Sequence, residues 1–322
     1  MAETNMRMLH ALEEMAPEAV AVIVPTFNGG TVWLDCIDTL KVQSPARNHV
    51  LVIDSGSRDG TLEAALAAGF EVIPIDKDNF DHGGTRQSAV ERFGRAEILV
   101  FLTQDAVLAR SNSLENLLKV FADSSVGMAY GRQLPRREAG PIEAHARLLN
   151  YPAIGEIRSY EDRARLGLKA AFCSNSFAAY RRSALLAVGG FPSRTIHAED
   201  MIVAARMLRM GWKIAYAADA MVHHSHKYST IEEFRRYFDT GVLHAREAWL
   251  LDDFGKPEGE GGRFIRSELT HLARYAPRLI PLAAVKTVAK YAGYRLGKLE
   301  RHIPKQLKVR LSMHKGFWRR EP

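Results

Sequence analysis

Residues 19–25 (AVAVIVP) are an unbroken apolar run rich in β-branched side chains. A strand that is apolar at every position must be covered on both faces, which is the condition of a strand inside a parallel sheet. Asn28-Gly29-Gly30 breaks the run, and the spacing of Val32, Cys36 and Leu40 predicts a helix over Thr31 to Gln43. The same unit then recurs. A predicted strand, Val50 to Ile53, ends at Asp54, and the loop Ser55-Gly56-Ser57-Arg58-Asp59-Gly60 leads to a predicted helix from Thr61 to Ala68. A third strand, Glu71 to Ile75, precedes a helix near Gly84 to Phe93, and a fourth, Ile98 to Leu102, ends at Thr103-Gln104-Asp105. Four repeats of strand, loop and helix predict a doubly wound α/β domain. Ligands of such folds bind outside the carboxyl ends of the strands. Four polar loops fall there: Thr26-Phe27-Asn28, Asp54 to Asp59, Asp81 to Arg86, and Gln104-Asp105.

The middle of the chain is less regular. A strand is predicted at Val126 to Tyr130, a loop-and-helix excursion over Arg132 to Asp162, and a strand at Phe177 to Tyr180 before the turn Gly189-Gly190-Phe191. A helix over Glu199 to Met210 and a strand over Lys213 to Ala217 lead to His223-His224-Ser225-His226. From Thr230 onward the pattern is helical, with Gly255 to Gly262 read as a linker. The expected organisation is an N-terminal extension (1–18), an α/β domain (19–229) and a basic helical C-terminal region (230–322).

The 322 residues are 47% hydrophobic, enough for a sizeable core. The two cysteines, Cys36 and Cys173, have no ligand or framework spacing, so small buried hydrophobes in a reducing setting are expected. No leader order and no spanning run are visible, which makes a cytoplasmic location the expectation. Charge is uneven. Residues 255–322 hold 16 Lys+Arg against 5 Asp+Glu, so the rest of the chain is mildly acidic. Such a tail suits an anionic partner. Few aromatics interleave the basic residues, so nucleic acid is not expected. Leu279 to Leu299, with Lys286, Lys290, Arg295 and Lys298, has the composition of helices lying on an anionic membrane, or of a solvated or homodimer face.

Five places carry chemistry. Asp54, at a strand's carboxyl end before a loop of small residues, can accept hydrogen bonds from a base or ribose, while Asp59 is as well explained as a helix cap. Gly83-Gly84 with Arg86 at a helix start offers N–H groups and a fixed charge to an anion. Asp105, at a strand tip, suits Mg²⁺ or Mn²⁺, or caps the segment after Ala106. Glu199-Asp200 opens a helix, either as dipole partners or as a general base. Of the three histidines, His223 and His224 point to opposite faces of an extended chain, so at most one of the two meets a given site.

Taken in order, these landmarks resemble the family 2 glycosyltransferases of GT-A fold. The resemblance rests on Val24-Pro25-Thr26-Phe27-Asn28, then Ile53 to Thr61 (IDSGSRDGT), then Gly189-Gly190-Phe191 followed by Glu199-Asp200. Asn79 to Arg86 (NFDHGGTR) with Leu102-Thr103-Gln104-Asp105-Ala106 is similar to the bacterial rhamnosyltransferase branch, whose donor is dTDP-L-rhamnose and whose products are lipopolysaccharide or capsule. The resemblance implies a GT-A fold with a mixed, mostly parallel sheet flanked by helices. It implies that Pro25, Thr26, Asn28, Asp54 and Ser57 hold the nucleoside with Gln104 nearby, and that Gly84 and Arg86 lie near ribose and phosphates. It further implies that Asp105, with His224 and His226, binds Mg²⁺ or Mn²⁺, and that Asp200, with Glu199 beside it, is the base. The expected reaction is inverting transfer of rhamnose to a glycan or lipid-linked glycan acceptor, at or near the inner face of the cell membrane. A UDP-sugar donor or an impaired, nucleotide-sugar-binding member are the alternatives. The family commonly has Asp-x-Asp at the metal site; here the triplet is Gln104-Asp105-Ala106.

Overall fold

The computed structural model describes residues 19–43, 49–255 and 258–321. The expected extension over residues 1–18 lies outside them. The first half has the predicted rhythm: β1 (Val20–Thr26), α1 (Gly30–Lys41), β2 (His49–Asp54), α2 (Thr61–Ala67), β3 (Glu71–Pro74), α3 (His82–Arg92) and β4 (Ile98–Leu102). Then come β5 (Val107–Leu108), α4 (Ser113–Leu118), β6 (Val126–Leu134), α5 (Pro141–Asn150), β7 (Glu156–Arg158), α6 (Arg163–Leu166), β8 (Phe177–Arg181), α7 (Arg182–Ala187), α8 (Glu199–Arg209) and β9 (Lys213–His223). Helices α9 (Thr230–Arg246), α10 (Ala248–Phe254), α11 (Glu258–Tyr275), α12 (Ile280–Lys298), α13 (Lys305–Leu311) and α14 (Lys315–Arg320) complete the described chain.

Among the described residues one mixed sheet of nine strands has the order β3-β2-β1-β4-β8-β6-β9-β5, with β7 also on β9. Strands β3, β2, β1 and β4 pair in parallel, while β8 is antiparallel to both β4 and β6. The unbroken apolar character of β1 is used on both faces. Ala21 and Ile23 enter one core with α3 and α8, whereas Val20, Val22 and Val24 enter the other with α1 and α4. β4 divides likewise, with Leu99 and Phe101 on one side and Ile98, Val100 and Leu102 on the other.

Two expectations needed correction. β9 runs to His223 rather than stopping at Ala217, because its second half pairs with both β6 and the two-residue β5. The stretch read as a linker is already helical from Glu258. The C-terminal helices pack on the core. Trp318 is fully buried, and Leu296, Ile303, Val309, Leu311 and Phe317 pack against the same apolar cluster as β1 and α8. Helices α9 and α12 cross closely because glycines meet backbone there: a Cβ on Gly293 would come within 2.2 Å of the Phe234 carbonyl oxygen, and one on Gly297 within 2.0 Å of that of Phe238.

Candidate functional site

Three loops at the carboxyl ends of β1, β2 and β4 are stitched together by side chains the sequence singled out. The Asp54 carboxylate, essentially inaccessible, accepts from the Thr26 hydroxyl (2.9 Å), the Ser57 hydroxyl (2.5 Å) and the N–H groups of Gly56 (3.0 Å) and Ser57 (2.9 Å). The Asn28 N–H donates to the Ser57 hydroxyl (2.8 Å), and the Asn28 side-chain oxygen accepts from the Arg58 N–H (2.9 Å). Asn28 stands at φ 46°, a left-handed conformation that asparagine tolerates better than most residues. Asp54 therefore ties the β1 and β2 loops together from beneath. Gln104 reads in the same way. Its carbonyl accepts from the Phe27 N–H (2.8 Å) and its amide donates to the Phe27 carbonyl (3.0 Å), a two-way pair that a carboxylate cannot make.

Asp105 meets the end of β9. Its carboxylate oxygens lie 3.4 Å from His224 Nε2 and 3.7 Å from His226 Nε2, and one ligand atom from each residue falls within 4.8 Å of the others. His224 is oriented from behind, where Nδ1 meets the Gln133 side-chain oxygen at 3.0 Å. That oxygen only accepts, so Nδ1 carries a proton and Nε2 is the nitrogen that faces Asp105. Burial acts to raise the Asp105 carboxyl, but the hydrogen bond and charge of His224 outweigh it and hold the group well below the usual carboxylate range. Burial pushes the His226 imidazole down to about 4, keeping it neutral. A carboxylate held ionised and two imidazoles whose nitrogens converge on it are a donor set suited to Mn²⁺ or Mg²⁺. His223 turns away, with Nδ1 at 3.1 Å from the Pro135 carbonyl, as alternation along a strand requires. Arg136 donates to the Asp105 backbone carbonyl (2.7 Å) and approaches its carboxylate (3.3 Å).

Across the site, Ala198 stands at φ 59° immediately before α8. A non-glycine residue in that conformation is costly and is retained where surroundings force it, often at functional positions. It launches the helix so that Glu199 and Asp200 occupy its first turn with different environments. The Glu199 side chain is buried and pairs with the equally buried Arg86 at 2.8 Å. Its carboxyl also accepts from the Asn175 amide (3.0 Å). Burial would raise Glu199, but Arg86 and its hydrogen bonds win and hold it low. Asp200 is only partly covered. It accepts from the N–H groups of Asn175 (2.9 Å) and Met201 (2.8 Å), yet burial and the adjacent Glu199 charge raise it above the usual range.

Gly84 and Arg86, expected near ribose and phosphates, have protein partners here, and Gly84 also lines a cavity with Ile53, Ile73 and Asp76. Asp81 caps α3 by accepting from the Gly84 N–H at 2.7 Å, and a Cβ on Gly83 would lie 1.8 Å from the Pro192 carbonyl oxygen. Gly83 allows that close packing, and Arg86 pairs with Glu199. Three residues of the site went unremarked in the sequence: Arg136, Asn175 and Gln133. Asn175 lies in the polar triplet Ser174-Asn175-Ser176 before β8, the one signal that could have marked it. Arg136 sits in an irregular basic stretch without periodicity.

Residues 21–189 match the family model described as glycosyl transferase family 2. The O-antigen chain rhamnosyltransferase RfbN of Salmonella typhimurium (strain LT2) is 45% identical over 93% of this chain and 96% of its own length. The O-antigen chain rhamnosyltransferase WbaN of Salmonella anatum is 46% identical over 92% and 95%. Among solved structures, the mannosyltransferase PcManGT from Pyrobaculum calidifontis, in complex with GDP-Man and Mn²⁺, is similar at a TM-score of 0.58 and 20% identity, covering 99% of this chain and 95% of that one.

Proposed function

The chain belongs to glycosyl transferase family 2, and from that premise we propose that it is an inverting rhamnosyltransferase using dTDP-β-L-rhamnose. The acceptor in this proposal is a sugar hydroxyl on a lipid-linked O-antigen or related lipopolysaccharide precursor, met at the inner face of the cell membrane. The observation that carries the sugar assignment is the identity of about half of all aligned positions to two O-antigen chain rhamnosyltransferases along nearly their whole lengths.

In the proposed reaction Asp200 takes the proton of the acceptor hydroxyl. The hydroxyl oxygen bonds to the anomeric carbon of rhamnose while the bond from that carbon to the dTDP oxygen breaks, and dTDP departs with the electron pair. One displacement inverts the centre, so a β-linked donor yields an α-rhamnoside. The raised proton affinity of Asp200 strengthens it as a base near neutral pH. Glu199 stays ionised against Arg86 and contributes its charge to that shift. Asp105, His224 and His226 would hold a divalent cation, Mn²⁺ or Mg²⁺, whose charge offsets that of the departing diphosphate. Arg136, fixed beside Asp105, adds a cation facing the phosphates. Pro25, Thr26, Asn28 and Ser57 line the nucleoside end, held in shape by Asp54 and Gln104.

A donor panel tests the assignment. With Mn²⁺ and a lipid-linked acceptor, dTDP-β-L-rhamnose is expected to support transfer and the product's anomeric carbon to be α by NMR. Transfer from a UDP-sugar and none from dTDP-β-L-rhamnose would replace the donor; a β product would remove the single-displacement mechanism.

A further inference from the structure

Helix α12 presents the wrong kind of face to water. Pro281, Ala284, Val285, Val288, Tyr291 and Ala292 are all exposed and lie on one arc at 100° per residue. Val285 is 55% accessible, Val288 67% and Tyr291 65%. The opposite arc holds the small residues Ala283, Gly293 and Gly297, buried against α9. The polar side chains one expects outside are partly inside. Lys286 donates to the Tyr228 carbonyl at 2.5 Å, and Lys290 reaches Glu233 at 3.6 Å with its side chain only 13% exposed. The two lysines the sequence suggested for an anionic surface are thus internal ties. Arg295 and Lys298 remain outward, as do Arg278 and Arg301 at the helix ends. α12 contains no acidic residue. Among the described residues, no helix is long and apolar enough to cross a membrane.

We propose that the outward face of α12, with Arg295, Lys298, Arg278 and Arg301 around it, docks onto an anionic phospholipid bilayer. The proposal rests on the lipid-linked acceptor argued above. An apolar strip with an interfacial tyrosine and a basic margin is the pattern of a helix lying in the headgroup region. Charge selects the occupant. The margin offers cations only, so it complements acidic headgroups, whereas a second copy of this chain would bring the same cations to the contact. The inner side of α12 is tied through Lys286 to Tyr228, whose ring lies 5.4 Å from that of His226. Docking through α12 therefore places the membrane on the side of the molecule from which Lys286 and Tyr228 lead to His226.

Flotation of the full chain with vesicles of phosphatidylcholine alone, or mixed with phosphatidylglycerol, tests this. The chain is expected to float with the mixed vesicles at low salt, to be released by high salt, and to ignore phosphatidylcholine alone. V285E/V288E together are expected to lower partition at least about tenfold, with an unchanged melting temperature because both side chains are exposed. No flotation with mixed vesicles, or undiminished flotation of the double variant, overturns the proposal. So does conversion of a dimer to a monomer by the double variant, seen in sedimentation, with lipid partition unaltered. Transfer to a short acceptor without lipid, measured in the absence of vesicles, reads the proposed activity separately: its loss in the wild type, with flotation intact, sinks the function and leaves the surface standing.

Discussion

Asp200 and Glu199 are neighbours in the chain with opposite electrostatic fates. Nothing local separates two carboxylates in the first turn of a helix. The difference comes from Arg86, brought from α3 to within 2.8 Å of Glu199 alone. Pairs of titratable groups driven apart by their surroundings are the usual basis of acid and base assignment. The consequence for pH dependence belongs to this scale. As a base Asp200 must be ionised, so kcat/KM is expected to fall as pH drops through its raised pKa. In Glu199→Gln a negative neighbour is lost and Arg86 is left facing Asp200. Both changes favour ionised Asp200, so the acid limb should move to lower pH. A limb that stays in place, or moves upward, contradicts the coupling. The residue types of the site were legible in the sequence, but the ties of Asp54, Gln104 and Arg86 to loops and helices distant in sequence were not.

Elements differ in how plainly the sequence declares them. β1 and β4 were legible because a strand apolar on both faces has few alternatives. The second half of β9 was not. Its Ala218-Asp219-Ala220 stretch has little strand character of its own and breaks the register, and the strand resumes because Met221 to His223 pair with β6 and β5, a tertiary effect. The start of α11 was hidden by Gly259, Gly261 and Gly262, which read as breakers. α3 and α8 were each visible, but not the ion pair that joins them. Removing one member of a buried pair leaves the other charge unpaired, which typically costs about 3–5 kcal/mol. Arg86→Met is expected to lose stability of that order in urea unfolding, with Glu199 left alone; a loss well under about 1 kcal/mol would mean the pair is not a structural tie.

At the scale of the whole molecule, the C-terminal region was legible as a charge and not as a wall of the fold. Its last helix buries Trp318 among Phe238, Phe317 and the aliphatic parts of the core. Just before it, His314 lies against His82 and His197, with ring centroids 5.3 and 5.9 Å away, behind Glu199. Burial pushes His314 down to about 3 and His197 to about 4, so this stack is neutral and backs the pair without competing with Arg86. Trp318→Ala is expected to cost about 3–5 kcal/mol in chemical denaturation, as for other fully buried large aromatics. A negligible loss would show that the tail only rests on the core.

The central claim is that Asp200 removes the acceptor proton in a single displacement. Single-turnover transfer from dTDP-β-L-rhamnose, measured beside donor affinity in Asp200→Asn, tests it most directly. Asparagine keeps the shape and cannot take the proton, so transfer should slow by about 10²–10⁴-fold, with donor Kd within about twofold of wild type. Near-wild-type transfer in Asp200→Asn would contradict the account, and the base would have to be sought elsewhere.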